Sequence, residues 1–137
     1  MTKTREAFEG GVAVITGSGS GIGEGTARHA ASLGMKVVVS DVAEDRIARV
    51  AADINKDGGK AIAVPADVRD AKALDRLADA AEKAFGDVRL LINNAGIETL
   101  GYSWELSAEA WEKIIGININ GVVQGVRAFA PRMIAAN

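Results

Sequence analysis

The run Thr16-Gly17-Ser18-Gly19-Ser20-Gly21-Ile22-Gly23 joins an apolar stretch, Val12-Ala13-Val14-Ile15, to a helical pattern through little but glycine and serine. Residues of these types at a strand end can hold phosphate. Glycines permit positive φ and a close backbone approach, and the unpaired N–H groups that open the next helix face an anion with a favourable dipole. The candidate cradle is Gly17, Ser18, Gly19, Ser20, Gly21, Ile22 and Gly23, with the main-chain amides from Ser18 to Ile22 directed at a diphosphate. No frame satisfies Gly-x-Gly-x-x-Gly: counted from Gly17, Gly19 or Gly21, the sixth residue is Ile22, Glu24 or Thr26. The frame present is Thr-Gly-x-x-x-Gly-x-Gly. No Gly-Lys-Ser/Thr follows the loop, which excludes a Walker-type nucleotidase.

A second chemical group sits at a telling distance. Asp41 closes the β-branched run Lys36-Val37-Val38-Val39-Ser40, about 20 residues past the glycine loop, where a carboxylate can accept hydrogen bonds from adenosine ribose hydroxyls. That placement points to NAD. A phosphate on the same ribose would face the carboxylate at a cost of about 1–4 kcal/mol at about 4 Å, or about 5- to 1000-fold in affinity. Asp41 could also cap the helix that follows. His29 has no partner at metal-ligand spacing, so no metal is expected.

The elements that must carry these groups follow from periodicity. A helix is expected from about residue 21 to Leu33, stopped by Gly34. A second helix puts Ile47, Val50, Ala51 and Ile54 on one stripe and ends at Gly58-Gly59. The third strand reads Ala61 to Asp67, and its Pro65 cannot donate to a ladder, which assigns it to a sheet edge. Asp70 reads as the cap of a helix with stripe Leu74, Leu77, Ala78, Ala81 and Phe85, closed by Gly86. Strand four, Leu90 to Asn93, runs into Asn94-Ala95-Gly96. Strands alternating with helices at crossover length predict an α/β fold: a Rossmann-type doubly wound parallel sheet of order 3-2-1-4. From a Ser107 cap the remainder reads as one long helix, 107–136, with Trp111, Ile114, Ile115, Val122 and Val126 as apolar positions. Gly116, Gly121 and Gly125 inside it mark close packing or a kink, since interior glycine costs about 1 kcal/mol against alanine.

Composition sets the outer bounds. The 137 residues suit one domain, 48% hydrophobic and 25% charged with a formal charge of −2. Such a balance gives no electrostatic case for nucleic acid or an anionic membrane. Without cysteine there are no disulfides and no thiol chemistry. The polar stretch from Met1 to Gly11 lacks the apolar core of a signal peptide, and no apolar run approaches the ~18 residues of a span, so a cytoplasmic location is expected by default.

Thr16-Gly17-x-x-x-Gly21-Ile22-Gly23, Asn93-Asn94-Ala95-Gly96 and Asn118 within Ile117-Asn118-Ile119-Asn120-Gly121 together resemble the short-chain dehydrogenases/reductases, over essentially the whole chain. The resemblance implies a nicotinamide cofactor and hydride transfer to or from an alcohol or ketone. It implies that Asp67 and Val68 contact the adenine, and that Asn94, Ala95 and Gly96 bring strand four close to the cofactor. It further implies that Asn118 bends the long helix and holds a water of the proton relay, with Asn120 the competing assignment. Ser20 and Val42 stand where NADP-preferring relatives tend to carry a cation, which favours NAD. Relatives associate through the long helix, so a homo-oligomer is expected.

The family's proton-transfer unit is a serine and a Tyr-x-x-x-Lys, and these 137 residues hold neither in the expected place. Tyr102, the one tyrosine, is followed four residues later by Leu106 and precedes Asn118. The chain therefore reads as the dinucleotide-binding half of such an enzyme, incomplete relative to the family and inactive alone. Two other readings stay open: a methyltransferase gripping S-adenosylmethionine through Gly17, Gly19, Gly21, Asp41 and Asp67, and a non-catalytic nucleotide-binding or oligomerising protein.

Overall fold

Val12–Thr16 (β1) and Lys36–Ser40 (β2) consist almost entirely of small or β-branched side chains, and nearly every one is buried. Such strands are stable only when helices cover both faces of the sheet. The computed structural model, which describes residues 3–136, has that arrangement. In chain order it runs α1 (Lys3–Phe8), β1, α2 (Gly21–Ser32), β2, α3 (Glu44–Lys56), β3 (Lys60–Ala63), α4 (Ala71–Phe85) and β4 (Val88–Ile92). A 3-10 turn at Ser103–Glu105, α5 (Ala108–Ile115), a π turn at Gly116–Asn120 and α6 (Gly121–Ala135) follow. The four strands are parallel in the order β3-β2-β1-β4, as expected, with Val14 paired to Val38 on one side and Leu91 on the other.

Alternation along the strands divides the core into two layers. Val12, Val14 and Val38 point to the layer holding Leu74, Leu77 and Phe129 of α4 and α6. Ala13, Ile15, Val37 and Val39 point to the other, with Ile47, Val50 and Ile54 of α3 and Ala27 and Ala30 of α2. Each fully buried Leu, Ile or Phe contributes about 1.5–3 kcal/mol. The small residues of α2 let its axis lie close to the sheet, which brings its N-terminus over the end of β1.

Several boundaries differ from expectation. β3 ends at Ala63 rather than Asp67. Beyond it the Val64 amide still donates to the Val39 carbonyl (2.9 Å) and the Ala66 amide to the Asp41 carbonyl (3.2 Å). Pro65 lies between these two donors, where an amide would face away from β2, so its missing N–H leaves no bond unmade. β4 starts two residues earlier than the sequence suggests. The expected caps are in place: the Asp70 carboxylate accepts from the Lys72 amide (2.9 Å) and the Ser107 hydroxyl from the Ala110 amide (3.2 Å). Helix α1 has no counterpart in the sequence reading; Phe8 anchors it against the α2/α3 layer.

The long helix expected over 107–136 is present as α5, the π turn and α6 in unbroken succession, with the π turn falling around Asn118 and α6 continuing past Pro131 to Ala135. Its glycines serve close packing. A Cβ on Gly121 would stand 2.6 Å from the Val68 side chain, and one on Gly125 would coincide with the Asn93 side chain. Among the described residues no helix is long and apolar enough to cross a membrane.

Candidate functional site: a crevice at the strand ends

The loop after β1 turns at Gly17 (φ +65), whose backbone lies so near Ala95 that a side chain would begin 2.7 Å from the Ala95 Cα. A Cβ on Gly23 would strike the Gly17 carbonyl. Only glycine fits either place. This crowding draws the start of α2 onto the ends of β1 and β4, and beside it opens a crevice of about 460 Å³. Gly17, Ser20, Ile22 and Gly23 form one wall; Asp41, Asp67 and Val68 form a second; Asn94, Ala95 and Gly96 form a third.

The expected cradle divides into two parts. Ser18 is fully buried: its amide donates to the Ser40 carbonyl (3.0 Å), and its hydroxyl donates to Ile15 (2.7 Å) and accepts from the Ser40 amide (2.9 Å). The Gly19 amide donates to the Asp41 carboxylate at 3.2 Å. Both amides expected to face a diphosphate are thus engaged within the protein, binding the loop to the end of β2. The amides of Ser20, Gly21, Ile22 and Gly23 have no partner among the described residues. Nothing stands within 4 Å of where a side chain on Gly21 (φ +55) would begin. Four open donors at a helix N-terminus are an anion site in geometry and in dipole. Ile22, 83% exposed, adds an apolar side chain beside them.

Glu24 would oppose an anion here, but its charge is matched. Arg49 (2.8 Å) and Arg28 (2.8 Å) both grip it, and hydrogen bonds from first Arg49 and then Arg28 hold its pKa down at about 2. Arg49 also donates to the Gly19 carbonyl (3.3 Å), so the same guanidinium steadies the glycine loop.

Asp41 is oriented by the backbone rather than by a cation. One carboxylate oxygen accepts from the Gly19 amide and the other from the Ala43 amide, both at 3.2 Å. It lies just before α3 without capping it, the N-cap being Ala43. Each oxygen keeps a lone pair for a hydroxyl. Asp67, by contrast, pairs with Arg69 at 2.6 Å, and the Arg69 hydrogen bonds keep its carboxyl below the ordinary range.

On the third wall Thr16 and Asn94 lock β1 to the end of β4. The Asn94 side-chain amide donates to the carbonyls of Thr16 (3.0 Å) and Gly17 (3.1 Å), while the Thr16 hydroxyl accepts from the amides of Asn94 and Ala95 (3.1 Å each). Asn118 does not line the crevice. Its side chain exchanges two 2.8 Å hydrogen bonds with the Ile97 backbone, pinning the segment beyond β4 to the π turn. Asn120 makes no such bond among the described residues.

Sequence reasoning missed Arg46, Ala66 and Ile117 on the crevice walls, and the acceptor role of Thr16. Arg46 had a legible signal: it falls in the first turn of α3, directly after the strand end that bears Asp41. Tyr102 and Trp104 stack at 4.8 Å and 9° on the exposed loop beyond β4, outside the crevice walls. No group of three or more potential metal-ligating side chains gathers among the described residues.

A parallel sheet with its glycine loop at the topological switch point, open helix amides and an acidic strand end defines a dinucleotide-type α/β protein. The chain belongs to the short-chain dehydrogenase family, whose family model matches residues 11–137. It is 39% identical over 116 residues to the meso-2,3-butanediol dehydrogenase of Serratia marcescens, covering 85% of this chain and 45% of that protein. It is 38% identical over 130 residues to a C alpha-dehydrogenase of a Sphingobium species, covering 94% of this chain and 43% of that one. A crystal structure of a short-chain dehydrogenase/reductase from Burkholderia phymatum in complex with NAD superposes with a TM-score of 0.91 at 48% identity, covering 94% of this chain and 46% of that chain. The chain thus spans about half the length of these relatives.

Proposed function

We propose that this chain is the dinucleotide-binding part of an oxidoreductase that transfers hydride between NAD and a small alcohol or ketone. The observation that carries the reading is the crevice itself: four unpartnered helix amides on one wall and, on the next, a carboxylate aimed by two backbone donors. The amides of Ser20 to Gly23 suit a diphosphate, and the two oxygens of Asp41 suit the paired hydroxyls of an unphosphorylated ribose. Val68 and Asp67 suit the flanks of the adenine, and Asn94, Ala95 and Gly96 bring the backbone of β4 toward the nicotinamide end. Bound there, the nicotinamide would supply the hydride acceptor or donor. Through its grip on Ile97, Asn118 holds the segment that borders the reacting end, and the resemblance also gives it a water of the proton relay.

Alcohol oxidation also needs a base for the hydroxyl proton, and a phenol near its ordinary pKa of about 10 is a poor base at neutral pH without a nearby cation. Tyr102 has Leu106, not lysine, four residues on. The 137-residue chain accordingly binds dinucleotide without turning over substrate. A diol, as in the name of the Serratia marcescens relative, lies within the proposed substrate class; the proposed location is the cytoplasm.

Calorimetric titration of the chain with NAD, NADP and S-adenosylmethionine tests the reading. NAD binding, weaker NADP binding and no response to S-adenosylmethionine are expected. Binding of S-adenosylmethionine in place of NAD, or of neither, overturns it.

A further inference from the structure

A contiguous pair of exposed aromatic rings marks a contact surface far more than a lone ring does. Tyr102 is 63% and Trp104 77% exposed, and their rings stack at 4.8 Å and 9°. Each ring covers one face of the other and leaves its opposite face to solvent. The segment that carries them is fixed at three points. Asn118 holds the Ile97 backbone, the Trp111 indole N–H donates to the Ser103 carbonyl (3.3 Å), and the Glu105 amide donates to the Tyr102 carbonyl (2.9 Å). Ile97 also lines the crevice, so the chain runs from the Asn94–Gly96 wall directly into this pinned loop. The charge around the pair is of one sign. From Ile97 to Glu112 there are four acids, Glu98, Glu105, Glu109 and Glu112, and no lysine or arginine. All four are exposed, and none makes an ion pair or a side-chain hydrogen bond among the described residues.

We propose that the Tyr102–Trp104 pair receives an alkylated ammonium group, so that the substrate is an alcohol or ketone carrying that cation. The inference rests on the oxidoreductase reading above and narrows its substrate class. The face of an indole attracts a cation through the ring quadrupole, and a methylated ammonium is the kind of cation that aromatic surfaces take up. The carboxylates of the same stretch add a field that draws cations and repels alcohols bearing a carboxylate. A neutral ligand would gain from the apolar faces alone, whereas an ammonium gains from the faces and the field. That charge match decides the occupant. Because the rings are already stacked and the loop is pinned, little conformational freedom remains to be lost on binding. The ammonium end rests on the loop, and the hydroxyl end is left to enter the crevice past Ile97.

The test is titration of the 137-residue chain with choline and with its uncharged isostere, in which a tert-butyl group replaces the trimethylammonium, followed by the indole N–H resonances. The Trp104 resonance, assigned by its loss in Trp104→Leu, is expected to shift with choline. Choline is expected to bind about fivefold more tightly than the isostere, a preference that shrinks as salt is raised. In Trp104→Leu choline is expected to weaken about threefold, read from backbone amides of the loop, while the isostere changes little. Equal binding of choline and isostere, or choline binding indifferent to Trp104→Leu, overturns the proposal. So does a Trp104→Leu chain that moves toward monomer when the unaltered chain ignores choline, which assigns the pair to contact between copies. NAD binding with no response to choline overturns this inference alone. Choline binding by a chain that takes no dinucleotide keeps the ammonium site and removes the substrate role given to it.

Discussion

Asp41 differs from the other acids near the crevice in having no cation to share its charge. Two amides hold its carboxylate still and leave its negative potential facing the corner where a ribose would lie. Replacing it by asparagine preserves the size and one acceptor but removes the repulsion. Asp41→Asn is expected to raise the ratio of NADP to NAD affinity by about tenfold, read by calorimetric titration. Glu24 gives a second test at this scale. Its pKa is lowered from the ordinary 4.5 to about 2, so the ion-paired form stabilises the fold above about pH 4.5, and that contribution disappears as pH falls through about 2. In urea unfolding at pH 7, Glu24→Gln is expected to be less stable than the unaltered chain by about 1 kcal/mol, a gap that closes near pH 2. The types and positions of Asp41, Asn94 and the glycines were legible because each is demanded by the backbone it serves. The burial of Ser18 and the pairing of Asp67 with Arg69 were not, because side-chain partners depend on rotamers and neighbours that spacing does not encode.

At the scale of elements, the glycines of α6 decide how close a helix can come to the sheet. Gly125 leaves room for Asn93 at the end of β4, and Gly121 leaves room for Val68. A valine at 125 must push α6 off the sheet, taking buried Phe129 with it. Gly125→Val is expected to lower unfolding free energy by about 3 kcal/mol in urea denaturation, whereas a substitution at exposed Gly25, where nothing lies within 4 Å, does not. Strand order and caps were readable from pattern, since Asp70 and Ser107 act on amides two and three residues away. The π turn was not. It widens the helical turn around Asn118, where the resemblance implied a bend, and the Asn118 side chain bonds to the Ile97 backbone across the gap, a long-range contact that periodicity does not encode. Helix α1 escaped notice for a related reason: six residues with one anchoring phenylalanine are too few to show a period.

At the scale of the whole molecule, association is governed by the outer face of α5, the π turn and α6. Trp111, Ile115, Ile119, Val122, Val123 and Val126 are all more than a third exposed, and β4 lies at the edge of the sheet among the described residues. An apolar stripe of this extent favours association. Sedimentation of the 137-residue chain at micromolar concentrations is expected to show a dimer or larger species, and Ile119→Lys with Val123→Lys is expected to shift it toward monomer. By itself the sequence determined the sheet, its strand order and the two turns that meet at its carboxyl edge, because hydrophobic period, glycine placement and helix caps act over a few residues. Tertiary structure alone decided which amides remain open and which acids are already neutralised. Those outcomes follow from the packing of α2 and α3 onto neighbouring strand ends, where residues more than 20 positions apart come into contact.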